Sequence, residues 1–343
     1  MIDRLTDKHA DEIICSFVLP VYNVEGYIED CIESIVNQDL DKYEIICIDD
    51  KSVDGTSEKL NQLRVKYQIR VIKNDQNYGV CYSRNKGINN AYGRYIWFVD
   101  PDDLLAPGIA EQFLREALEK NADFVVGNYK RVPEDFSFTG DEVKARCSFE
   151  MCDCTFSIPV DENAISMSAV WAGPFKREFL LKNGLFFREG MMAQEDTVFY
   201  YELKQNDACV LHTDSVCYLY RQRKSSIMHT HSEEKNKNYY KSMLIMLEVY
   251  NRYLESGKCR DKNELRQRIH HTKENITWTL AMVKDEEYVH REFKRLKLLR
   301  IYPYRLRWHL LTTSRPMVMK IMMFLLPIRP VFWLVHKSLV SRQ

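Results

Sequence analysis

The sequence predicts an α/β fold in which a largely parallel sheet is covered by helices on both faces. Short, continuous apolar runs alternate with segments of helical periodicity over the first 130 residues. The apolar runs lack the strict alternation of a sheet with one face in water, which indicates strands buried on both faces. A length of 343 residues and a hydrophobic content of 45% allow one well-buried domain with an extension, or two domains.

Strands and helices alternate in the first part of the chain, as in βαβ units. Strands are predicted at residues 15–23, 43–52, 69–75, 95–100, 122–129 and 208–221, and helices at 27–38, 56–67, 79–91 and 108–120. A polar insertion follows at 131 to about 165, and the pattern is helical from about 233 to 300. We therefore predict an α/β domain over residues 1–230 and a helical region over 231–343.

Polar side chains follow four successive predicted strands, where the sequence reads PVYN, DDKS, ND and DPDD. In open parallel sheets, ligands bind outside the carboxyl ends of the strands. The sequence therefore predicts a ligand site at this edge of the sheet.

The densest of these groups holds three carboxylates, Asp100, Asp102 and Asp103. Neighbouring carboxylates repel each other by about 1 kcal/mol per pair in water and by more in a cleft. Because Mg²⁺ and Mn²⁺ sites commonly combine one or two carboxylates with substrate phosphates, a cation bridged to a diphosphate explains the cluster. Helix capping is the alternative for Asp103, ahead of a helix from Pro107 onward.

A second acidic pair, Asp49 and Asp50, ends the second predicted strand. The nearby Asp54 or Thr56 is a candidate N-cap of the next helix. Capping does not account for the pair itself, whose carboxylates can accept hydrogen bonds from a ribose hydroxyl or a base N–H.

Five blocks of the chain resemble glycosyltransferase family 2, in order and at that family's spacing, over roughly residues 14–225. They read SFVLPVYNVEGYIEDCIESIVNQ, EIICIDDKSVDGTSE, NYGVCYSRNKGI, YIWFVDPDD and MMAQEDTVF. The resemblance implies the GT-A fold, a Rossmann-like sheet flanked by helices. It also implies inverting transfer of a sugar from a nucleotide-sugar donor, with a UDP-sugar as the expected donor and Mn²⁺ or Mg²⁺ as cofactor.

The resemblance also implies roles for single residues at the nucleotide. Three residues match the loop that packs on the base, namely Pro20, Val21 and Tyr22. Asp50 matches the position that contacts base or ribose, with Asp49 as the alternative. Arg84, in a block where Ser83 replaces the usual Ala, and Asp100, the first acid of a DxD pair, are expected near the nucleotide.

At the metal and the acceptor, the resemblance implies Asp102 as the direct metal ligand, with His229 as a second candidate. Asp196 matches the catalytic base and Glu195 its neighbour, and acids in the first turn of a helix are the compatible structural alternative. Trp171 could stack on the acceptor sugar or lie in the core. In its block, Gly173 and Pro174 replace the family's usual Lys-Leu.

The end of the chain is strongly basic although the whole chain has a net charge of zero. From Tyr288 to Gln343 there are 12 Lys/Arg and one acidic residue, which leaves a net charge of −11 on residues 1–287. Trp308, Phe324, Phe332 and Trp333 lie among these cations, a composition that suits anionic lipid headgroups. A helical bundle with a solvated basic rim is the alternative, and the absence of any nucleic-acid recognition motif leads us to expect no nucleic-acid partner.

We therefore expect a glycosyltransferase located in the cytoplasm, peripheral on the inner face of the membrane. Its expected acceptor is a glycan or a lipid-linked oligosaccharide in capsule or exopolysaccharide assembly. The segment YRLRWHL resembles the QxxRW block of processive synthases, but Tyr304 replaces Gln, so we expect one sugar per catalytic event. A protein or soluble glycan acceptor, and a non-catalytic nucleotide-sugar-binding protein, are the alternatives. The oligomeric state is left open.

Overall fold

The computed structural model describes residues 13–136, 150–152, 169–223, 232–302 and 329–340. It divides into two compact units. The sheet unit comprises Met1–Gly190 and Glu195–Ser226, and the helical unit comprises Met191–Gln194 and Ile227–Gln343.

The sheet unit is built on one mixed sheet. Over the described residues its strands are β1 Cys15–Val21, β2 Tyr43–Asp49, β3 Arg70–Lys73, β4 Tyr95–Phe98, β5 Leu104–Leu105, β6 Phe124–Pro133, β7 Glu150–Cys152, β8 Phe175–Lys176 and β9 Val210–Gln222. Their order is β3-β2-β1-β4-β8-β6-β9-β5, and β7 pairs with β9. The pairs among β1 to β4 are parallel, as predicted, whereas β8 runs antiparallel to both β4 and β6.

Helices flank this sheet, and the first four lie where the sequence predicts them. They are α1 Ile28–Val36, α2 Thr56–Tyr67, α3 Val80–Asn90, α4 Ile109–Glu119, α5 Arg177–Lys182 and α6 Glu195–Lys204, with a 3₁₀ turn at Val170–Ala172. The α/β fold class of the prediction is confirmed. The central strands are covered on both faces, since all seven residues of β1 are buried.

Helix α3 lies unusually close to β1 because Gly87 faces Val18. A Cβ built at Gly87 would lie 2.2 Å from Val18 Cγ1, so a larger residue would push the helix away from the strand. Arg84 is one helical turn earlier and is buried. The close approach therefore fixes the depth at which the Arg84 side chain reaches the end of the sheet.

The helical unit contains α7 Glu233–Ser256, α8 Lys262–Ala281, α9 Glu286–Leu298 and α10 Arg329–Val340. Side chains cap the first three helices, because Ser232, Asp261 and Asp285 each accept a hydrogen bond from a backbone N–H of the first turn. The helical region predicted at about 233–300 is present. No described helix combines the length and the apolar character needed to cross a membrane.

Phe332 of α10 does not face outward, contrary to the expectation that it contacts lipid. Phe332 is fully buried and packs on Phe293, with ring centroids 4.4 Å apart. Trp333 stacks on His290 at 4.3 Å. Burial of Phe332 in the helical unit withdraws that ring from any lipid surface. Membrane binding by the basic segment stays a prediction. Trp308 and Phe324 lie outside the described residues.

Candidate active site

The loops after β1 and β2 are tied together at the carboxyl edge of the sheet. The Asn23 N–H donates to Ser52 Oγ at 3.1 Å, and the Val24 N–H donates to Thr56 Oγ1 at 2.8 Å. Pro20 and Val21 are buried in β1, whereas Tyr22 is 44% exposed. The loop expected to pack on a nucleotide base therefore presents one aromatic ring to solvent.

Neither capping candidate of the β2–α2 loop is the N-cap residue of α2, because Gly55 occupies that position. Asp54 and Thr56 instead accept hydrogen bonds that join the two loops. The Asp54 carboxylate accepts from the N–H groups of Glu25 at 3.3 Å and of Thr56 at 3.1 Å. Hydrogen bonds from backbone N–H groups to side chains thus hold the loops after β1 and β2 together at the carboxyl edge of the sheet.

The acidic pair at the end of β2 is buried and hydrogen-bonded within the protein. Asp50 accepts from Asn74 Nδ2 at 2.7 Å and from the N–H groups of Tyr78 at 3.0 Å and Gly79 at 2.7 Å. Asp49 accepts from the Ser52 N–H and from the Ser57 hydroxyl. These carboxylates fix the turns that lead into α2 and α3, and their contact with a nucleotide stays a prediction.

Arg84 is the centre of the charged cluster at this edge. Its guanidinium, only 3% exposed, donates from Nη2 to Asp100 Oδ1 at 3.0 Å. From Nη1 it donates to Glu195 Oε1 at 3.1 Å and to Asp196 Oδ1 at 3.0 Å. The acid that follows β4 and the two acids that begin α6 are thereby brought together, although 95 residues and more separate them in the chain.

The electrostatics of the cluster follow from burial. Burial lowers the pKa of Arg84, but the charges of Asp196, Asp100 and Glu195 outweigh it and raise that pKa, so the guanidinium stays charged. Burial, and then the neighbouring charge of Glu195, raise the pKa of Asp196 well above its ordinary value, although Arg84 opposes the rise. A carboxylate with a raised pKa is a stronger base when ionised.

Helix α6 presents Asp196 to the site from its first turn. The second carboxylate oxygen of Asp196 accepts from the Val170 N–H at 3.3 Å. Stacked aromatic rings hold α6 in place, since the ring centroids of Phe199 of α6 and Phe187 are 4.3 Å apart. The same Phe187 ring lies 5.1 Å from the Arg84 guanidinium carbon, a distance typical of a cation–π contact.

The other two acids after β4 have arginine partners in or near β9. Arg223 Nη2 lies 2.6 Å from Asp102 Oδ2. Asp103 is buried and accepts from the Arg221 N–H at 2.7 Å. The capping alternative for Asp103 is therefore wrong, because its carboxylate is used by β9 and Gly108 stands at the N-cap position of α4.

Arg221 and Arg223 are site residues that the analysis of the sequence missed. The two residues are two positions apart, so their side chains lie on the same face of the chain at the end of β9. Both guanidinium carbons lie over the Tyr27 ring, at 5.4 Å and 5.2 Å. The available signal was this alternation in YRQR, which follows an apolar strand.

Trp171 lies in the core of the sheet unit. It is 6% exposed and stacks on Tyr218 with ring centroids 4.2 Å apart, and its carbonyl accepts from Trp97 Nε1 at 2.9 Å. Because Tyr218 covers one of its faces, the core alternative describes Trp171 better than a sugar-stacking role. His229 lies outside the described residues.

A divalent cation fits this edge only together with further oxygen ligands. Asp100 and Asp102 offer carboxylate oxygens, which Mg²⁺ and Mn²⁺ prefer. Among the described residues, no three His, Cys, Asp or Glu side chains are grouped to enclose a metal ion. Burial and the charge of Asp100 raise the pKa of Asp102, so its ionised form would gain from an added cation. Two carboxylates completed by phosphate oxygens would meet that need.

Comparison with known proteins places the chain in a family. The model of glycosyl transferase family 2 matches residues 16–178. Glycosyltransferase GlyG of Streptococcus pneumoniae serotype 4 is 30% identical over 228 residues, which span 63% of this chain and 73% of that protein. This chain belongs to glycosyltransferase family 2. It is therefore a transferase, as the sequence blocks led us to expect.

This family 2 glycosyltransferase is also similar to a second curated protein and to a solved structure. The poly(ribitol-phosphate) beta-glucosyltransferase of Bacillus spizizenii is 34% identical over 194 residues, 54% of this chain and 28% of that protein. The structure of S. aureus TarS residues 1–349 in complex with UDP-GlcNAc matches with a TM-score of 0.58 at 17% identity, over 96% of this chain and 84% of that one. The second likeness confirms the GT-A type of fold.

Proposed function

We propose that this glycosyltransferase moves one sugar from a UDP-sugar to a hydroxyl of a glycan or lipid-linked acceptor, with a divalent cation, in the assembly of a surface polysaccharide. The observation that carries the proposal is the Arg84 guanidinium between Asp100 and the pair Glu195–Asp196. The Arg84 side chain alone connects Asp100, expected near the leaving group, with Asp196, the expected base.

Asp196 is the proposed general base. The acceptor oxygen attacks the anomeric carbon while the bond from that carbon to the diphosphate oxygen breaks, and Asp196 accepts the hydroxyl proton. A single displacement inverts the anomeric centre, so an α-linked donor gives a β-linked product. The name of the Bacillus spizizenii relative, a beta-glucosyltransferase, agrees with this outcome.

Asp102 and Asp100 are the residues that would hold the cation. When bound, Mg²⁺ or Mn²⁺ would neutralise the charge that develops on the diphosphate leaving group. Arg84 positions the acids on either side, and the fixed guanidinium charge adds to the electrostatic stabilisation of the leaving group. The UDP-GlcNAc complex of TarS supports a UDP-sugar as donor.

Donor turnover tests the proposal directly. Purified protein is incubated with a panel of UDP- and GDP-sugars in Mn²⁺, Mg²⁺ or EDTA, and sugar release and transfer are measured. We expect turnover of one UDP-sugar that EDTA abolishes and that falls at least 100-fold in Asp102→Ala. Asp196→Asn should bind the donor with unchanged affinity but lose turnover by a similar factor.

The matched control is Asp214→Asn, which removes one exposed carboxylate of β9. Its turnover should equal that of the wild type. Turnover that survives in Asp196→Asn would contradict the assignment of the base. Turnover in EDTA equal to that with Mn²⁺ or Mg²⁺ would contradict the need for a cation. Donor binding without turnover would favour the non-catalytic alternative.

The helical unit is the proposed contact with an anionic membrane surface. From Lys294 to the last residue there are eleven Lys/Arg and no Asp or Glu. Within the described part of this segment, Leu298, Leu299 and Leu334 are 84%, 53% and 67% exposed. Exposed leucines beside clustered cations are the combination that binds anionic bilayers peripherally. Transfer to a protein or soluble glycan is the alternative, and it predicts no dependence on lipid.

A further inference from the structure

Arg223 occupies the carboxylate that the cation would need. Its Nη2 atom lies 2.6 Å from Asp102 Oδ2, at the position just beyond the last residue of β9. A guanidinium at this distance and a divalent cation on the same carboxylate would be like charges in contact, and they repel strongly in a partly buried site. The two cations therefore compete for Asp102.

The neighbouring Arg221 is anchored, whereas Arg223 lies at the surface of the site. Arg221 is buried, its N–H donates to Asp103, and its Nη2 contacts Asp30 at 3.1 Å. The side chains of Arg223 and Asp102 are 18% and 20% exposed. Of these two arginines, Arg223 is the one whose guanidinium can change partner without opening the core.

The Tyr27 ring gives the Arg223 guanidinium a contact that does not involve Asp102. The ring lies 5.2 Å from the guanidinium carbon, and the Tyr27 hydroxyl donates to Glu134 Oε1 at 2.7 Å. A cation–π contact is compatible with small shifts of the cation across the ring face. Arginine also binds phosphate oxygens through two parallel N–H donors, which makes a diphosphate a suitable second partner.

We propose that Arg223 neutralises Asp102 while the site holds no donor, and that its guanidinium moves to the donor diphosphate when a divalent cation takes its place on Asp102. This inference rests on the proposed function. It makes binding of the cation and of the nucleotide mutually dependent, because each favours the arrangement in which Arg223 has left Asp102.

Equilibrium binding of Mn²⁺ and UDP tests the exchange without any turnover. Mn²⁺ binding is measured by electron paramagnetic resonance, and UDP binding by calorimetry, for the wild type, Arg223→Gln and Arg223→Lys. In the wild type, saturating UDP should tighten Mn²⁺ binding by about 10-fold or more, within the usual range of such couplings. In Arg223→Gln, Mn²⁺ alone should bind about 10-fold more tightly, and UDP with Mn²⁺ about 10-fold more weakly.

Arg223→Lys separates charge from shape. It should keep the weak binding of Mn²⁺ alone, because the positive charge remains, and should lose part of the UDP affinity, because the paired donors are gone. Arg115→Gln, which removes an exposed arginine paired with Glu111 on α4, is the control and should change neither affinity.

Two results are distinguishable. If the wild type binds UDP and Mn²⁺ but Arg223→Gln leaves the affinity for Mn²⁺ alone unchanged, the exchange is overturned and the proposed function stands. If the wild type binds no UDP in the presence of Mn²⁺, the proposed function fails, and this inference falls with it.

Discussion

At the scale of single residues, the buried guanidinium of Arg84 balances three partly buried carboxylates. Asp100, Glu195 and Asp196 each lie within 3.1 Å of its guanidinium nitrogens. The carboxylates keep partial contact with water, whereas Arg84 does not. Removal of the arginine therefore leaves negative charges close together without the group that compensates them.

Arg84→Gln should destabilise the protein by about 3 kcal/mol or more, because it breaks a buried ion network from one side only. The free energy of unfolding in urea measures this loss. Arg115→Gln, at an exposed i,i+4 pair with Glu111, should cost less than about 0.5 kcal/mol. A loss in Arg84→Gln as small as in that control would contradict the structural role of Arg84.

The raised pKa of Asp196 predicts the pH dependence of transfer. The base must be ionised to accept a proton, so kcat/KM should rise with pH through an apparent pKa above the ordinary Asp value of 3.8. Burial is the first cause of the rise and the Glu195 charge is the second. Glu195→Gln removes the second cause and should shift the acidic limb of the profile to lower pH.

The pH profile of kcat/KM between about pH 4 and 8 checks this expectation. Thr197→Ser, a conservative change at the next residue, is a suitable control and should leave the limb in place. A limb that moves to higher pH in Glu195→Gln would contradict the sign derived from the like charge.

At the scale of secondary-structure elements, the segment from the 3₁₀ turn to β8 is held against β6 by close packing. A Cβ built at Gly173 would lie 1.9 Å from the carbonyl oxygen of Val125. Next to it, the Val125 N–H donates to the Pro174 carbonyl at 3.1 Å. This contact gives a physical reason for glycine at a position where the family block usually has lysine.

Gly173→Ala should destabilise the protein by about 1–3 kcal/mol, since the methyl group meets backbone that cannot move aside easily. Thermal or urea unfolding measures the change. Gly26→Ala is the matched control, because no atom lies within 4 Å of a Cβ built there, and it should be nearly neutral. Equal effects of the two substitutions would contradict the packing argument.

At the scale of the whole molecule, charge is divided along the chain. Residues 1–287 carry a net charge of −11, and the segment from Tyr288 onward carries the balancing positive charge. An overall charge of zero therefore hides a basic segment in the helical unit. Such a segment attracts anionic surfaces over about one Debye length.

Co-sedimentation with vesicles tests the membrane proposal. The protein should bind vesicles of mixed neutral and anionic phospholipid, and not vesicles of neutral phospholipid, with binding that weakens as salt rises from about 0.1 to 0.5 M. Replacing Leu298 and Leu299 together by Ser should weaken binding about 10-fold, because two exposed apolar side chains are lost. The exposed Val65 of α2, replaced by Ser, is the control. Equal binding to neutral vesicles and to vesicles with anionic phospholipid would contradict the proposal.

The sequence by itself determined the alternation of strands and helices from β1 to α4 and the acidic residues that follow β2 and β4. Both follow from local information, because periodicity and strand-end position are properties of neighbouring residues. Helix α2 begins and ends where the pattern predicts, and the parallel strands β1 to β4 are as expected. The short antiparallel β8 between β4 and β6 was not foreseen, since two residues carry too little pattern.

Only the tertiary structure decided which charges meet. Arg84 reaches Asp196 over 112 positions of chain, and Arg223 reaches Asp102 because β9 pairs with β5, pairings that no local pattern encodes. Burial likewise decided that Trp171 and Phe332 belong to cores and that Asp103 bonds to β9. The physical reason is common to all of them. A side chain's partner, exposure and pKa depend on the elements that pack around it, and packing is fixed only when the whole chain has folded.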